Sequence, residues 1–388
     1  MLRRSSRARR RIAVALVSVG ALALTACSGG SSGSAQPPTD RSASGAPASG
    51  APAADSLPAL VAASKSEHGL MMFTNGNLPQ GEGGGAGVAA VAKAFQAKYP
   101  WIKVSATDDE DPVVFSKYAA QHATGIRTAD ILLVSSPALW VGAVKNGYIQ
   151  PFTPAGLKNY PGFVNQGHGL YVFSADPAIT IYNKRSLKGG QPPLTIAGIV
   201  ADAKAGKYKI GTYTVTNQFG YSAFWAYVHH SGWGPIDQLG SVSALTGDGG
   251  VLGQDVLQGG IGAAIFESGV ARGVIEHIPA QAKIGGYQYT TDFTPLVPRG
   301  WGVTTGAKSP NSAKLFMDFV YSDEGQAAMC VAGYEVMSNT YTPPGCKDTL
   351  KQLYAQVGGE QNTYLTPFTQ EVANQAPFVA RWKKAFHQ

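Results

Sequence analysis

Four short stretches place polar side chains where a small solute could be held. "TNGN" offers Thr74, Asn75 and Asn77; "VSSP" offers Ser135 and Ser136; "TVTNQFGYS" offers Thr216, Asn217 and Gln218; "FESG" offers Glu267 and Ser268. Each follows an apolar run that reads as a strand and precedes a segment with helical spacing. Ligands of open α/β sheets bind beyond the carboxyl ends of the strands, where helix N-termini add free N–H groups and partial positive charge. Ser, Thr and Asn in such places are also ordinary helix N-caps, so both roles stay open for each residue.

Other patterns point to less. "DDED" at Asp108 to Asp111 closes a strand and opens a helix; acids there suit the helix dipole, and their functional alternative is recognition of a cation. His229 and His230 are adjacent, so on a helix their side chains diverge by about 100°. H-E-x-x-H and Cys-x-x-Cys are absent from the sequence, which gives no support for a zinc site. No metal or cofactor is expected. "GEGGGA" at Gly81 to Ala86 formally fits the dinucleotide fingerprint, but it lies too far beyond "MMFT" for its first glycine to close that strand. No nucleophile, base and orienter assemble without arbitrary choice, so an enzyme is not expected. The hydroxyl and amide loops favour an oxyanion, such as a phosphonate, phosphate ester or carboxylate. "DDED" and Glu267 argue for a cation. The balance goes to the anion, because carboxylates at a helix start already have a structural explanation.

The N-terminus sets the compartment. "MLRRSSRARRR" is basic, and Ile12 to Ala26 is an uncharged run of fifteen residues, short of the roughly 20 that a spanning helix needs. Basic start, apolar core and small residues describe an export signal over 1–26; the arginine cluster fits a twin-arginine signal less well. "LTAC" resembles the lipobox of bacterial lipoproteins, whose cysteine, here Cys27, is lipidated and becomes the N-terminus. Residues 27–55 are mostly Gly, Ser, Pro and Ala, a tether that cannot bury a core. The "GGSSG" within it fits the serine-hydrolase elbow only on paper, since that motif needs a strained strand-to-helix turn.

Formal net charge is +7, but six arginines fall before Ile12, leaving the chain after Ala26 near +1. The basic balance therefore gives no argument for nucleic acid. Beyond Cys27 only Cys330 and Cys346 remain; an even pair in an exported protein implies a disulfide.

Behind the loops, strand and helix alternate. "GLMMFT", "WIKVSAT", "ADILLVSS", "AITIYNKRSL", "KYKIGTY" and "IGAAIF" read as strands, and "GYQYTTDFTPLVPRGWGV" as extended. Helical spacing marks "AGVAAVAKAFQAKYP", where Val88, Val91, Ala92 and Phe95 share a face, and also "VVFSKYAAQHATG", "ALWVGAVKNG", "TIAGIVADAKAG" and "YSAFWAYVHHSG". "NSAKLFMDFVYSDEGQAAMCVAGY" reads as one long helix or two. Alternation of this kind implies α/β architecture with a parallel sheet.

Several of these segments, in this order, resemble the solute-binding proteins of bacterial ABC importers, in the branch of iron(III), thiamine and phosphonate binders. They are "KSEHGLMMFTN…VAKAFQAKYPWIKV", "ADILLVSSPALWVGAVKNGYIQPF", "AITIYNK" and, most specifically, "SPNSAKLFMDFVYSDEGQAAM". The resemblance implies a two-lobed periplasmic-binding-protein fold, type II-like, with the ligand cleft between lobes joined by two crossing strands. The expected division is 56–150 and 296–335 for the first lobe, 151–295 for the second and 336–388 for a C-terminal helical segment. The implied function is capture of a small polar solute for an ABC permease and its ATPase, by a monomer lipid-anchored at the outer face of the cytoplasmic membrane. The adjacent tyrosines of iron-binding relatives are missing, since "ESGVARG" stands in their place; Tyr213, Tyr221 and Tyr227 read as core or cleft walls. A surface-anchored hydrolase or a solute-sensing receptor domain is the alternative.

Overall fold

The apolar runs and helical segments fold largely where their spacing puts them. The structure is a computed structural model and describes residues 55–67, 69–75, 87–187 and 190–388. Cys27, Asn77 and the glycine stretch 81–86 lie outside the described residues.

The first part comprises α1 (Leu57–Ser64), β1 (Leu70–Thr74), α2 (Gly87–Lys98), β2 (Val104–Asp108), α3 (Asp111–Ala123), β3 (Ile131–Val134) and α4 (Pro137–Lys145). β4 (Asn165–Gly167) and the long β5 (Leu170–Asn183) follow. Next come α5 (Ile196–Lys204), β6 (Ile210–Tyr213), α6 (Gln218–Ser231), α7 (Gly234–Gly240), β7 (Ser243–Thr246), α8 (Gly249–Gln258) and β8 (Ala263–Ser268). α9 (Ala271–His277), α10 (Pro279–Ala282), β9 (Gly285–Gln288) and β10 (Thr294–Val303) lead to α11 (Pro310–Val320) and α12 (Asp323–Val331). The chain closes with α13 (Leu350–Val357), β11 (Thr363–Leu365), α14 (Gln370–Ala373) and α15 (Gln375–Ala385).

The strands run in the order β2-β1-β3-β10-β5-β8-β6-β7. β1 pairs in parallel with β2 and β3, and β6 in parallel with β7 and β8. Two antiparallel passes join these halves. β5 pairs with β10 over Tyr171 to Pro177 and with β8 from Ala178 onward. β9 returns along the far half of β5, and β10 then reaches β3. The fold is thus mixed α/β, with β5 and the β9–β10 pass as its crossing strands.

Apolar packing fills both halves. Val88, Val91, Ala92 and Phe95 of α2 are buried, and Phe95 meets Phe316 of α11 edge-on at 4.9 Å. In the other half Phe224 of α6 packs on Phe266 of β8 at 5.3 Å and on Trp382 of α15 at 5.6 Å. Each such ring contributes on the order of 2 kcal/mol by leaving water. Cys330 and Cys346 form a disulfide with a Cα–Cα separation of 6.0 Å, tying the end of α12 to the turn before α13.

Candidate functional site

Between the two sheet halves lies a cavity of about 930 Å³. One wall carries Asn75 after β1, Asp108 to Val113 at the β2–α3 junction and Ser135 after β3. The facing wall carries Tyr213 at the end of β6, Thr216 to Phe219 at the start of α6, Gly247 and Ser268. Arg299, from the crossing strand β10, also lines it.

Arg299 organises one cluster. Its Nη2 lies 3.3 Å from Asp176 Oδ2 on β5, and its Nη1 is 3.4 Å from Asn75 Oδ1. Burial acts to lower the Arg299 pKa, but Asp176, Tyr334 and Asp111 more than offset it and leave the guanidinium more basic than usual. Ser268 donates its hydroxyl to the same Asp176 oxygen at 2.7 Å, so Asp176 links the two walls. Asp111 is buried, which raises its carboxyl to about 6, held from rising further by Arg299 and by the Ser135 and Ser136 N–H groups. Ser135 N donates to Asp111 Oδ2 at 3.1 Å, and Asn75 Nδ2 donates to Asp111 Oδ1 and, at 3.2 Å, to Ser135 Oγ.

Glu267 organises a second cluster. Tyr213 donates its hydroxyl to Glu267 Oε1 at 2.6 Å, and Ser268 N donates to the same oxygen at 3.0 Å. Glu267 Oε2 is buried without a hydrogen-bond partner. Burial lifts this carboxyl to about 7 against the pull of Tyr213 and Ser268. A local irregularity aims it. The β5–β8 register shifts between Ile179 and Ile181, and Phe266 adopts a φ of +63°, a left-handed conformation that is costly for a bulky side chain. Gly249 opens α8 beside this pair, where an added Cβ would strike the Tyr213 hydroxyl.

Of the ten residues singled out in the strand-to-helix loops, Asn75, Ser135, Thr216, Asn217, Gln218 and Ser268 line the cavity. Asn217 does so while capping α6, accepting from Gly220 N at 2.9 Å and donating to Gly247 O at 3.0 Å. Ser136 is buried at the start of α4 and donates to Gln218 Oε1 at 3.0 Å, a bond from one wall to the other. Thr74 is buried within β1, and Glu267 sits behind Tyr213 and Ser268 rather than on the lining. Asn77 lies outside the described residues.

The "DDED" acids stand at a helix start, as expected, with Asp111 opening α3, and all four also line the cavity. Arg299, Asp176 and Phe219 were not singled out by loop position. For Arg299 and Asp176 the signal is a charge inside an apolar strand, visible in "TPLVPRGWGV" and "LYVFSADPAITIYN"; Phe219, in the first turn of α6, carries no such signal. Of the three tyrosines, Tyr213 is on the lining, while Tyr221 and Tyr227 are core residues whose hydroxyls donate to Val372 O and Asp292. His229 and His230 stack on Trp225 and Phe293 and do not line the cavity.

The family described as bacterial extracellular solute-binding protein matches residues 79–327, more than half of the chain. No curated protein matches the chain significantly. Solved structures share the fold. The substrate-binding protein of an ABC transporter from Agrobacterium tumefaciens superposes with a TM-score of 0.69 at 19% identity, covering 83% of this chain and 96% of that one. Iron-bound HitA from Pseudomonas aeruginosa gives 0.62 at 16%, covering 82% and 99%. The periplasmic binding protein AfuA from Actinobacillus pleuropneumoniae, bound to fructose-6-phosphate, gives 0.60 at 16%, covering 82% and 98%. The chain belongs to the bacterial extracellular solute-binding proteins, and its fold is the type II-like periplasmic-binding-protein fold.

Proposed function

We propose that this solute-binding protein captures a small polar solute in the cleft between its sheet halves and delivers it to the permease and ATPase of an ABC importer. The observation that carries the proposal is the shared lining. Strand-to-helix loops from both sides of the crossing strands converge on one cavity, with Ser136 of one wall bonded to Gln218 of the other. Such a site forms and dissolves with hinge bending about the crossing strands. We place the first lobe at 56–150 and 296–335, the second at 151–295 and the helical remainder at 336–388. The change of partner along β5 at Pro177 and Ala178 supports a hinge within that frame.

The chain works outside the cytoplasmic membrane, as its family does. Within the proposal, residues 1–26 direct export, Cys27 carries the lipid and the following Gly, Ser, Pro and Ala residues tether a monomer to the outer face. Among the described residues no helix is long and apolar enough to cross a membrane, which is consistent with anchoring outside them. Binding rather than catalysis is the reading the chain's family supports. The oxyanion preference drawn from the loops loses support here. The four "DDED" carboxylates line the cavity, and Arg299, the one cationic side chain of the lining among the described residues, already faces Asp176.

Uptake tests the proposal. Cells lacking the gene, grown on uniformly labelled medium, should fail to accumulate one polar solute, and the wild-type chain should restore it. Unchanged accumulation of every solute would sink the reading.

A further inference from the structure

We infer that the cleft selects a solute bearing a positively charged nitrogen, an organic amine or ammonium compound, through an acidic rim facing an aromatic pair. The inference rests on the solute-binding reading above and names the substrate class of that same site. Asp108, Asp109, Glu110 and Asp111 all belong to one wall, against Arg299 as the lone cationic side chain of the lining among the described residues. Arg299 is held in its ion pair with Asp176, and Lys117, just behind the rim, is set 3.2 Å from Asp109. An anion entering here meets carboxylates first and finds the guanidinium already engaged. A cation meets a field that low-dielectric walls concentrate.

The opposite wall suits the same class. Tyr213 and Phe219 both line it, packed on each other with ring centroids 5.8 Å apart and planes tilted by 53°, and aromatic rings attract cations through their quadrupoles. Thr216, Asn217 and Gln218 beside them supply neutral hydrogen-bonding groups for the rest of the solute. A bare metal ion is a poorer fit, since among the described residues no three His, Cys, Asp or Glu side chains gather closely enough to hold one.

The experiment passes a polar-metabolite extract of the source cells over the immobilised chain and identifies retained solutes by mass. The expected result is retention of a solute with a nitrogen that is cationic at neutral pH. Its affinity should fall about tenfold or more in Asp109→Asn/Glu110→Gln, and should weaken as salt screens the rim. The same variant should keep its thermal midpoint, because Glu110 is exposed and Asp109 half-buried. Retention of a purely anionic solute, or affinity untouched by the double variant, overturns the inference and leaves the solute-binding reading standing. Retention of nothing by the wild-type chain defeats that reading, and the inference with it.

Discussion

Glu267 is a residue whose chemistry depends on its surroundings. Its carboxyl titrates near 7 in the fold against 4.5 when solvated, chiefly because it is buried. Below pH 4.5 both folded and unfolded chains hold the proton. As pH rises from 4.5 through 7 the unfolded chain ionises first, so stability falls across that window and levels above it. The loss has a ceiling of roughly 3 kcal/mol, at about 1.4 kcal/mol per tenfold change in proton affinity. Glu267→Gln should remove this part of the pH dependence, gaining on wild type more at about pH 8 than at about pH 5. Urea midpoints at the two pH values check it, and a gain independent of pH would show that burial does not set this carboxyl. Arg299→Gln should behave oppositely, costing about 3 kcal/mol or more because Asp176 and Asp111 lose their buried cation. Adding Asp176→Asn should recover part of that cost; a single-variant loss well under 1 kcal/mol would mean the pair is effectively solvated. The same residues show what a sequence exposes. Asn75, Ser135 and Asn217 were legible because they follow apolar strands. Arg299 and Asp176 were hidden inside strands, where a charge is paired rather than displayed.

At the scale of elements, legibility followed periodicity. The spacing of Val88, Val91, Ala92 and Phe95 marked α2, and all four are buried; "ILLV" marked β3, which is buried at every residue. The elements that escaped carry residues that break such patterns. β5 begins at Leu170, well before the apolar "AITIYN"; Ser174, Asp176 and Pro177, residue types common in turns, interrupt its apolar pattern. In the fold those residues stay extended because β10 pairs with them and Arg299 and Ser268 bind Asp176. α8 carries Gly249, Gly250 and Gly253, poor helix formers, and depends on Asp248, whose side chain caps it by accepting from Val251 N at 2.9 Å. The cysteine pair, by contrast, was legible by count alone. It closes a loop with a sequence separation of 16, for which the chain-entropy estimate is about 3 kcal/mol. Reduction, or Cys330→Ser/Cys346→Ser, should lower the urea midpoint accordingly. Equal stability of oxidised and reduced chains would mean that packing of α12 and α13 already fixes that loop.

For the whole molecule the question is what keeps a binding protein beside its permease. In the proposed arrangement, retention falls on Cys27 and the lipid it would carry. A diacylglycerol supplies two chains, and two are needed where one acyl chain binds membranes only reversibly. Cys27→Ser should therefore leave the cleft intact and change only where the protein is found. Purified wild type and variant should bind the same solute with equal affinity, while fractionation should move the variant from the membrane to the soluble or secreted fraction, or leave it as unprocessed precursor. The uncharged run from Ile12 to Ala26 is fifteen residues, too short to substitute as a stable span, so a precursor should be extractable under conditions that leave the lipidated form in place. Uptake should fall even though binding does not, because a released protein delivers its solute only by diffusion, whereas a tethered one meets the permease at a high effective concentration. A Cys27→Ser protein that is processed, membrane-bound and fully active in uptake would sink the anchor and leave the cleft untouched.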